Sequence, residues 1–180
     1  MSLSPINQTN LFSLDNYLLE FVELYEKKKL PTKILLSGDK GLGKSTLAFH
    51  LVNYILSINE EHPYIFKESK INPENKSYKL AINGSNPNLL LVDVLSEKKN
   101  IDINQIRELI INLNKSSFNK KKRFVLMDNI ELLNLNSSNA LLKILEEPHE
   151  NINFILINNN KRVLPTLKSR CLNFKVFLTQ

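Results

Sequence analysis

Between Gly38 and Ser45 the chain reads GDKGLGKS, and nothing else in its 180 residues limits the possible folds as strongly. The segment matches the pattern G-x-x-x-x-G-K-[ST]. It follows the apolar run Lys33-Ile34-Leu35-Leu36-Ser37 and leads into Thr46-Leu47-Ala48-Phe49-His50-Leu51-Val52, so the motif lies where a buried strand hands over to a helix. The spacing has a chemical reason. Gly38, Gly41 and Gly43 let the backbone turn until successive N–H groups converge on phosphate oxygens at a helix N-terminus. Lys44 supplies a positive charge for the outer phosphates, and Ser45 offers its hydroxyl to a magnesium ion shared with them. The expected nucleotide contacts are Gly38, Asp39, Lys40, Gly41, Leu42, Gly43, Lys44, Ser45 and Thr46.

The remainder of the chain suits such a site. A hydrophobic fraction of 42% and a charged fraction of 23% are those of an ordinary globule, and the length suits one domain. No apolar run approaches about 18 residues, and the N-terminus MSLSPINQTN lacks a basic start and an apolar core, so a cytoplasmic protein with no membrane partner is expected. The lone Cys171 excludes an internal disulfide and any multi-cysteine zinc site. A net charge of +6 suits a phosphate-rich partner. Its lysine runs, Lys27–Lys29 and Lys120–Arg123, fall where a helix or loop meets a strand and read as solvated turns rather than DNA contacts. The 25 asparagines read as biased coding, so asparagine clusters are not taken as sites on composition alone.

Periodicity organises the chain as alternating helices and strands. An amphipathic helix is expected within 10–28 and a strand over 33–37, followed by a helix from Gly43 to about Ser57. From Asn59 to Asn86 the pattern dissolves into a polar stretch that reads as a lid, insertion or loop, with Tyr64, Ile65, Phe66 and Ile71 able to anchor a short element. NLLLVDV, from Asn88 to Val94, is a continuous apolar run of the kind a two-face-buried strand requires. A helix over 101–115, a strand over 123–128, and a helix over 136–147 capped by Asn136, Ser137 or Ser138 and stopped at Pro148 follow. Strands over 152–157 and 172–178 flank a short turn at 163–167. The fold class is α/β: a three-layer domain with a five-stranded parallel sheet and helices on both faces.

Ligands of parallel sheets gather at the carboxyl ends of the strands, and Asp128 stands at such an end, placed to complete a magnesium shell with Ser45. Hydrolysing enzymes of this architecture commonly carry a Glu directly after that Asp to polarise the attacking water. Here the position is Asn129, whose amide neither takes a proton nor carries charge. Glu131, two residues on, is the substitute the sequence offers, but strand alternation works against it. Nucleotide binding is therefore expected, with the chain's own ATPase activity weak or absent.

With these residues identified, the sequence resembles the clamp-loader branch of the AAA+ ATPases, most closely the delta-prime subunits of bacterial DNA polymerase III. The resemblance spans nearly the whole chain. It is carried by GDKGLGKSTLA (38–48), IDINQIREL (101–109), SSNALLKILEEP (137–148) and LPTLKSRC (164–171), of which the last two are specific to clamp loaders. It implies a P-loop NTPase domain of AAA+ type, ATP or ADP with Mg2+ as ligand, and membership of a loader that places a sliding clamp on primed DNA. Arg170, in the Ser-Arg-Cys motif, would be presented as an arginine finger to the nucleotide of a neighbouring subunit. The family's sensor position falls on Asn158 or Asn159, with Asn158 the expected contact. Gamma/tau and delta subunits and the sliding clamp are the implied partners, with DNA met indirectly. The cysteines of a zinc module common in the family are missing, so 59–86 is expected to fold without zinc. The lid and collar domains that normally follow are also missing, which reads as an N-terminal fragment of a longer protein.

Two other functions fit parts of the pattern. An actively hydrolysing gamma/tau-type loader ATPase suits Lys44 and Ser45 but not Asn129. A nucleoside monophosphate kinase would share the phosphate loop but requires an arginine-rich lid, which the sequence lacks.

Overall fold

A computed structural model describes residues 4–115, 121–147 and 151–178. Five strands form one fully parallel sheet: β1 (Lys33–Ser37), β2 (Leu89–Val92), β3 (Arg123–Met127), β4 (Ile152–Asn158) and β5 (Leu172–Lys175), in the order β2-β3-β4-β1-β5. The helices are α1 (Asp15–Glu26), α2 (Lys44–Ser57), α3 (Lys76–Ile82), α4 (Ile103–Asn114), α5 (Leu135–Glu146) and α6 (Pro165–Lys168). No helix among the described residues is long and apolar enough to cross a membrane.

Strand alternation divides the core in two. Ile34, Leu36, Phe124, Leu126, Ile155 and Ile157 face one side, where they pack with Leu18, Phe21 and Leu51 of α1 and α2. Leu35, Val125, Met127, Phe154 and Leu156 face the other, against Ile106, Leu109, Leu141 and Leu145 of α4 and α5. Every residue of β3 and β4 is buried, as the apolar runs 124–127 and 154–157 require, and Arg123, Asn153 and Asn158 are buried with them. This is the three-layer domain expected from the alternation.

Several boundaries differ from the periodicity for local reasons. Residues 10–14, inside the expected helix, are not helical: Asn10 bridges Lys70, Leu11 N–H donates to Ser69 O at 3.0 Å, and Ser13 has φ 60°. The α5 cap is Asn134, whose side chain accepts from Ser137 N at 2.9 Å, so the helix starts ahead of Asn136, Ser137 and Ser138. Ser137 is instead buried and donates to Ile101 O at 2.9 Å. Asp102 and Gln105 form a capping box on α4, consistent with the D-x-x-Q of this segment. β5 stops at Lys175 rather than 178. Lys120 and the expected helix stop Pro148 lie outside the described residues.

The polar stretch 59–86 carries more order than its composition implies. It holds a 3-10 turn (Phe66–Glu68) and α3, capped by Asn75. Asn75 pairs with Asn53 of α2 at 3.2 Å, and Asn86 Nδ2 donates to Ser77 O at 3.0 Å. Buried asparagines supply the polar partners here, which composition alone does not show.

Fully buried His50 joins α2 to two loops: Nε2 lies 3.0 Å from Gln8 O and Nδ1 lies 2.6 Å from the Tyr64 hydroxyl. A carbonyl only accepts, so Nε2 carries the hydrogen. Burial lowers the imidazole pKa from 6.5 to about 4. Between those values the unfolded chain binds a proton that the folded chain refuses, so stability falls as pH drops through that window, by up to about 3 kcal/mol. Urea unfolding at pH 7 and pH 4.5 is expected to show this loss, and His50→Gln is expected to lose less across the same interval. Equal losses would show that His50 does not cause the drop.

Candidate nucleotide-binding site

The loop leaving β1 crosses the carboxyl edge of the sheet before α2 begins at Lys44. Gly41 and Gly43 adopt φ 89° and 81°, a left-handed backbone that favours glycine. A side chain at Gly38 would meet the carbonyl oxygen of Val176, so the last described residues pack directly over the start of the loop. Lys44 is buried beneath it, its Nζ donating to Gly38 O at 2.9 Å and Asp39 O at 2.6 Å. Burial pulls its pKa down, opposed by Asp128, Glu131 and Asp39. A cleft of about 510 Å3 borders the loop, lined by Ser37, Gly38, Asp39, Leu42, Asn158 and Asn160 among others, and Asn160 donates to Asp39 Oδ1 at 2.9 Å. Lys40 is exposed and Thr46 half-buried in the first turn of α2.

Asp128 follows β3, and its carboxylate accepts a hydrogen bond from the Ser45 hydroxyl. Burial raises the Asp128 pKa, partly offset by its bonds from Ser45 and from Asn129 N–H. A hydroxyl and a carboxylate brought together beside a buried lysine are hard oxygen donors at the right place for Mg2+ on a nucleotide, and the residues fit that ion. Bound there, the ion would neutralise charge on the outer phosphates.

Beside this pair lies a network that the sequence did not single out. Asn129, at φ 53°, donates through Nδ2 to Asp93 Oδ1 at 2.7 Å and accepts from Asn159 Nδ2 at 2.8 Å. Asn159 also donates to Glu131, through its backbone N–H at 3.2 Å and Nδ2 at 3.0 Å. An amide at 129 suits both neighbours, since it donates to one and accepts from the other, and asparagine tolerates this left-handed backbone better than glutamate. Glu131 therefore does reach the site, because a 3-10 turn (Ile130–Leu132) replaces the continued strand against which its reach was judged. Asp93 could have been noticed as the acid in the apolar run NLLLVDV, which forms the edge strand β2 with Leu91 exposed rather than a strand buried on both faces. Of the two sensor candidates, Asn158 closes its own turn with both polar ends on Lys161 backbone atoms (3.0 and 3.3 Å), whereas Asn159 joins the Asn129–Glu131 network.

Arg170 lies elsewhere. Leu172, which opens β5, pairs with Ile34 near the amino end of β1, whereas the phosphate loop leaves the carboxyl end after Ser37. At about 3.3 Å per residue, Arg170 is on the order of 15 Å from the chain's own phosphate loop along the strand direction. Buried Leu167 and half-buried Cys171 anchor the segment, and the same burial raises the Cys171 thiol to about 11, leaving it unreactive. Arg170 between them stays accessible, with a hydrogen-bonded ion pair to Glu146.

A family model described as DNA polymerase III, delta subunit, matches residues 14–178. The chain belongs to this family. It is 33% identical over 138 residues to DNA polymerase III subunit delta' of Pseudomonas aeruginosa, covering 76% of this chain and 40% of that protein. It is 32% identical over 146 residues to DNA polymerase III subunit gamma of Buchnera aphidicola subsp. Schizaphis graminum, covering 79% and 37%. The chain thus spans about two fifths of the length of these curated relatives. Among solved structures, a DNA polymerase III gamma subunit-related protein from Thermotoga maritima superposes with a TM-score of 0.63 at 23% identity, covering 91% of this chain and 47% of that one. The fold is that of the AAA+ P-loop clamp-loader domains, as the motifs at 38–48 and 137–148 implied.

Proposed function

We propose that this delta-subunit-family domain works in a DNA polymerase III clamp loader of the cytoplasm by holding ATP or ADP with Mg2+, hydrolysing it slowly or not at all, and presenting Arg170 to the nucleotide of an adjoining subunit. Gamma/tau-type and delta-type subunits are its partners in that reading, acting together on the sliding clamp and, indirectly, on primed DNA. The observation that carries it is the separation between the two functional groups: a cradle built from Lys44, Ser45 and Asp128 at the carboxyl edge, and Arg170 at the amino end of β5, too far to serve the same nucleotide. Within the cradle the protein's own groups bind and orient. Lys44 and the loop amides take the phosphates, Ser45 and Asp128 hold the metal, and Asn129 leaves the water without the usual carboxylate.

A second reading has specific support. Glu131 and Asp93 both hydrogen-bond into the Asn129–Asn159 network, so carboxylates stand beside the uncharged residue 129 and could polarise water in its place in a motor of gamma/tau type. Titration calorimetry with Mg-ATP, combined with phosphate-release measurements on the same samples, separates the two. Lys44→Ala is expected to weaken binding by roughly 10- to 100-fold, the share of charge-assisted bonds to phosphate. Tight binding with negligible release supports the holding subunit, and sustained release that Glu131→Gln removes supports the motor. Unchanged binding in Lys44→Ala would overturn both.

A further inference from the structure

Arg170 does not project freely from the surface. One terminal nitrogen, Nη2, is bonded to Glu146, the last residue of α5, and the other, Nη1, donates to Thr166 O of α6 at 2.8 Å. The two elements that bear these partners are packed into one cluster: Ile144 and Leu145 of α5 and Leu167 of α6 share the core on that face of the sheet. The guanidinium is therefore held between the end of α5 and its own turn at α6, while its five N–H bonds exceed what the two partners consume. We propose that Glu146 is the positioning residue for Arg170, holding the guanidinium plane so that its remaining N–H groups face the adjoining subunit. This rests on the reading of Arg170 as an arginine given in trans.

The physical argument is one of preorganisation. An arginine side chain has many rotamers, and a group that must find its geometry at the moment of reaction loses that freedom there. Two bonds already made in the resting subunit reduce what is lost later. As a half-exposed surface pair, Glu146 with Arg170 contributes little to folding, so its removal acts on orientation rather than on the fold. The two roles can thus be told apart.

The test uses a reconstituted loader containing this chain in its full-length protein, with hydrolysis confined to the site that Arg170 faces by disabling the phosphate-loop lysines of the others. Glu146→Ala is expected to lower kcat roughly 5- to 20-fold with KM within twofold and an unchanged melting temperature. Glu146→Asp should recover part of the loss. On an Arg170→Ala background the same change should add nothing, because it acts only through the arginine. If Arg170→Ala is itself silent, the trans-arginine reading fails and the inference fails with it. If Arg170→Ala is inactive while Glu146→Ala is within twofold of the parent, or faster, only the inference is overturned. An additive loss in the double variant, or loss of loader assembly in Glu146→Ala alone, would overturn it too.

Discussion

Arg170→Ala is expected to depress hydrolysis at the adjoining subunit's site by roughly 10³-fold, about 4 kcal/mol of transition-state stabilisation, while leaving Mg-ATP binding by this chain unchanged. The size follows from the job. An arginine that reaches charge developing on a transferring phosphoryl group is desolvated and forked, and no water can reproduce that geometry. The insensitivity of this chain's own binding follows from the register of the sheet, which sets Ile34 beside Leu172 and Ser37 beside Lys175 and so puts Arg170 at the opposite end of β1 from the loop. Total turnover of an intact loader would fall only by the share of one site, so single-turnover kinetics with the other sites disabled is the appropriate measurement. A full rate in that assay would leave Arg170 as a surface residue of α6's trailing turn, tied to Glu146 and Thr166 with no role at the neighbouring nucleotide.

What could be read from the residues, and what could not, divides along physical lines. β3 and β4 were legible because burial on both faces favours apolar runs such as 124–127 and 154–157, although the similar run of β2 lies at the sheet edge with Leu91 exposed. The cradle was legible because loop, lysine and hydroxyl are neighbours in the chain. Asp128 needed one inference from strand polarity, and the structure places its carboxylate against the Ser45 hydroxyl, 83 positions away in the chain. The network behind it was not legible, since it depends on long-range pairs: Asp93 with Asn129, Asn129 with Asn159, and Asn159 with Glu131. Glu131 was judged by strand alternation, but Asn129 turns the backbone into the left-handed region and ends the strand, so alternation no longer applies there. Helix α3 and its caps were missed for a related reason. Asn53, Asn75 and Asn86 were discounted as compositional bias, although each is buried and hydrogen-bonded in the structure.

The second large effect is expected from Gly38→Ala, which should destabilise the fold by about 3 kcal/mol and abolish Mg-ATP binding in the fraction that remains folded. A methyl group there would sit 2.3 Å from Val176 O and 3.3 Å from its carbonyl carbon, and 3.2 Å from Leu42 Cδ1. The leucine methyl can swing aside, but the carbonyl cannot. Val176 N–H donates to Ser37 O at 2.7 Å, and the next residue is held by Tyr17, whose hydroxyl accepts from Phe177 N–H at 3.1 Å. Relieving the clash therefore breaks the end of the β1–β5 pairing or moves the phosphate loop away from the position that Lys44 bridges. Gly41 provides the contrast within one motif. Nothing lies within 4 Å of a methyl group there, and the only penalty is its φ of 89°, so Gly41→Ala should cost about 1 kcal/mol. Denaturant unfolding of the two variants side by side measures the difference. Equal losses would mean that the segment after β5 yields to the methyl group, and that glycine at 38 serves the nucleotide rather than the packing of the chain across the loop.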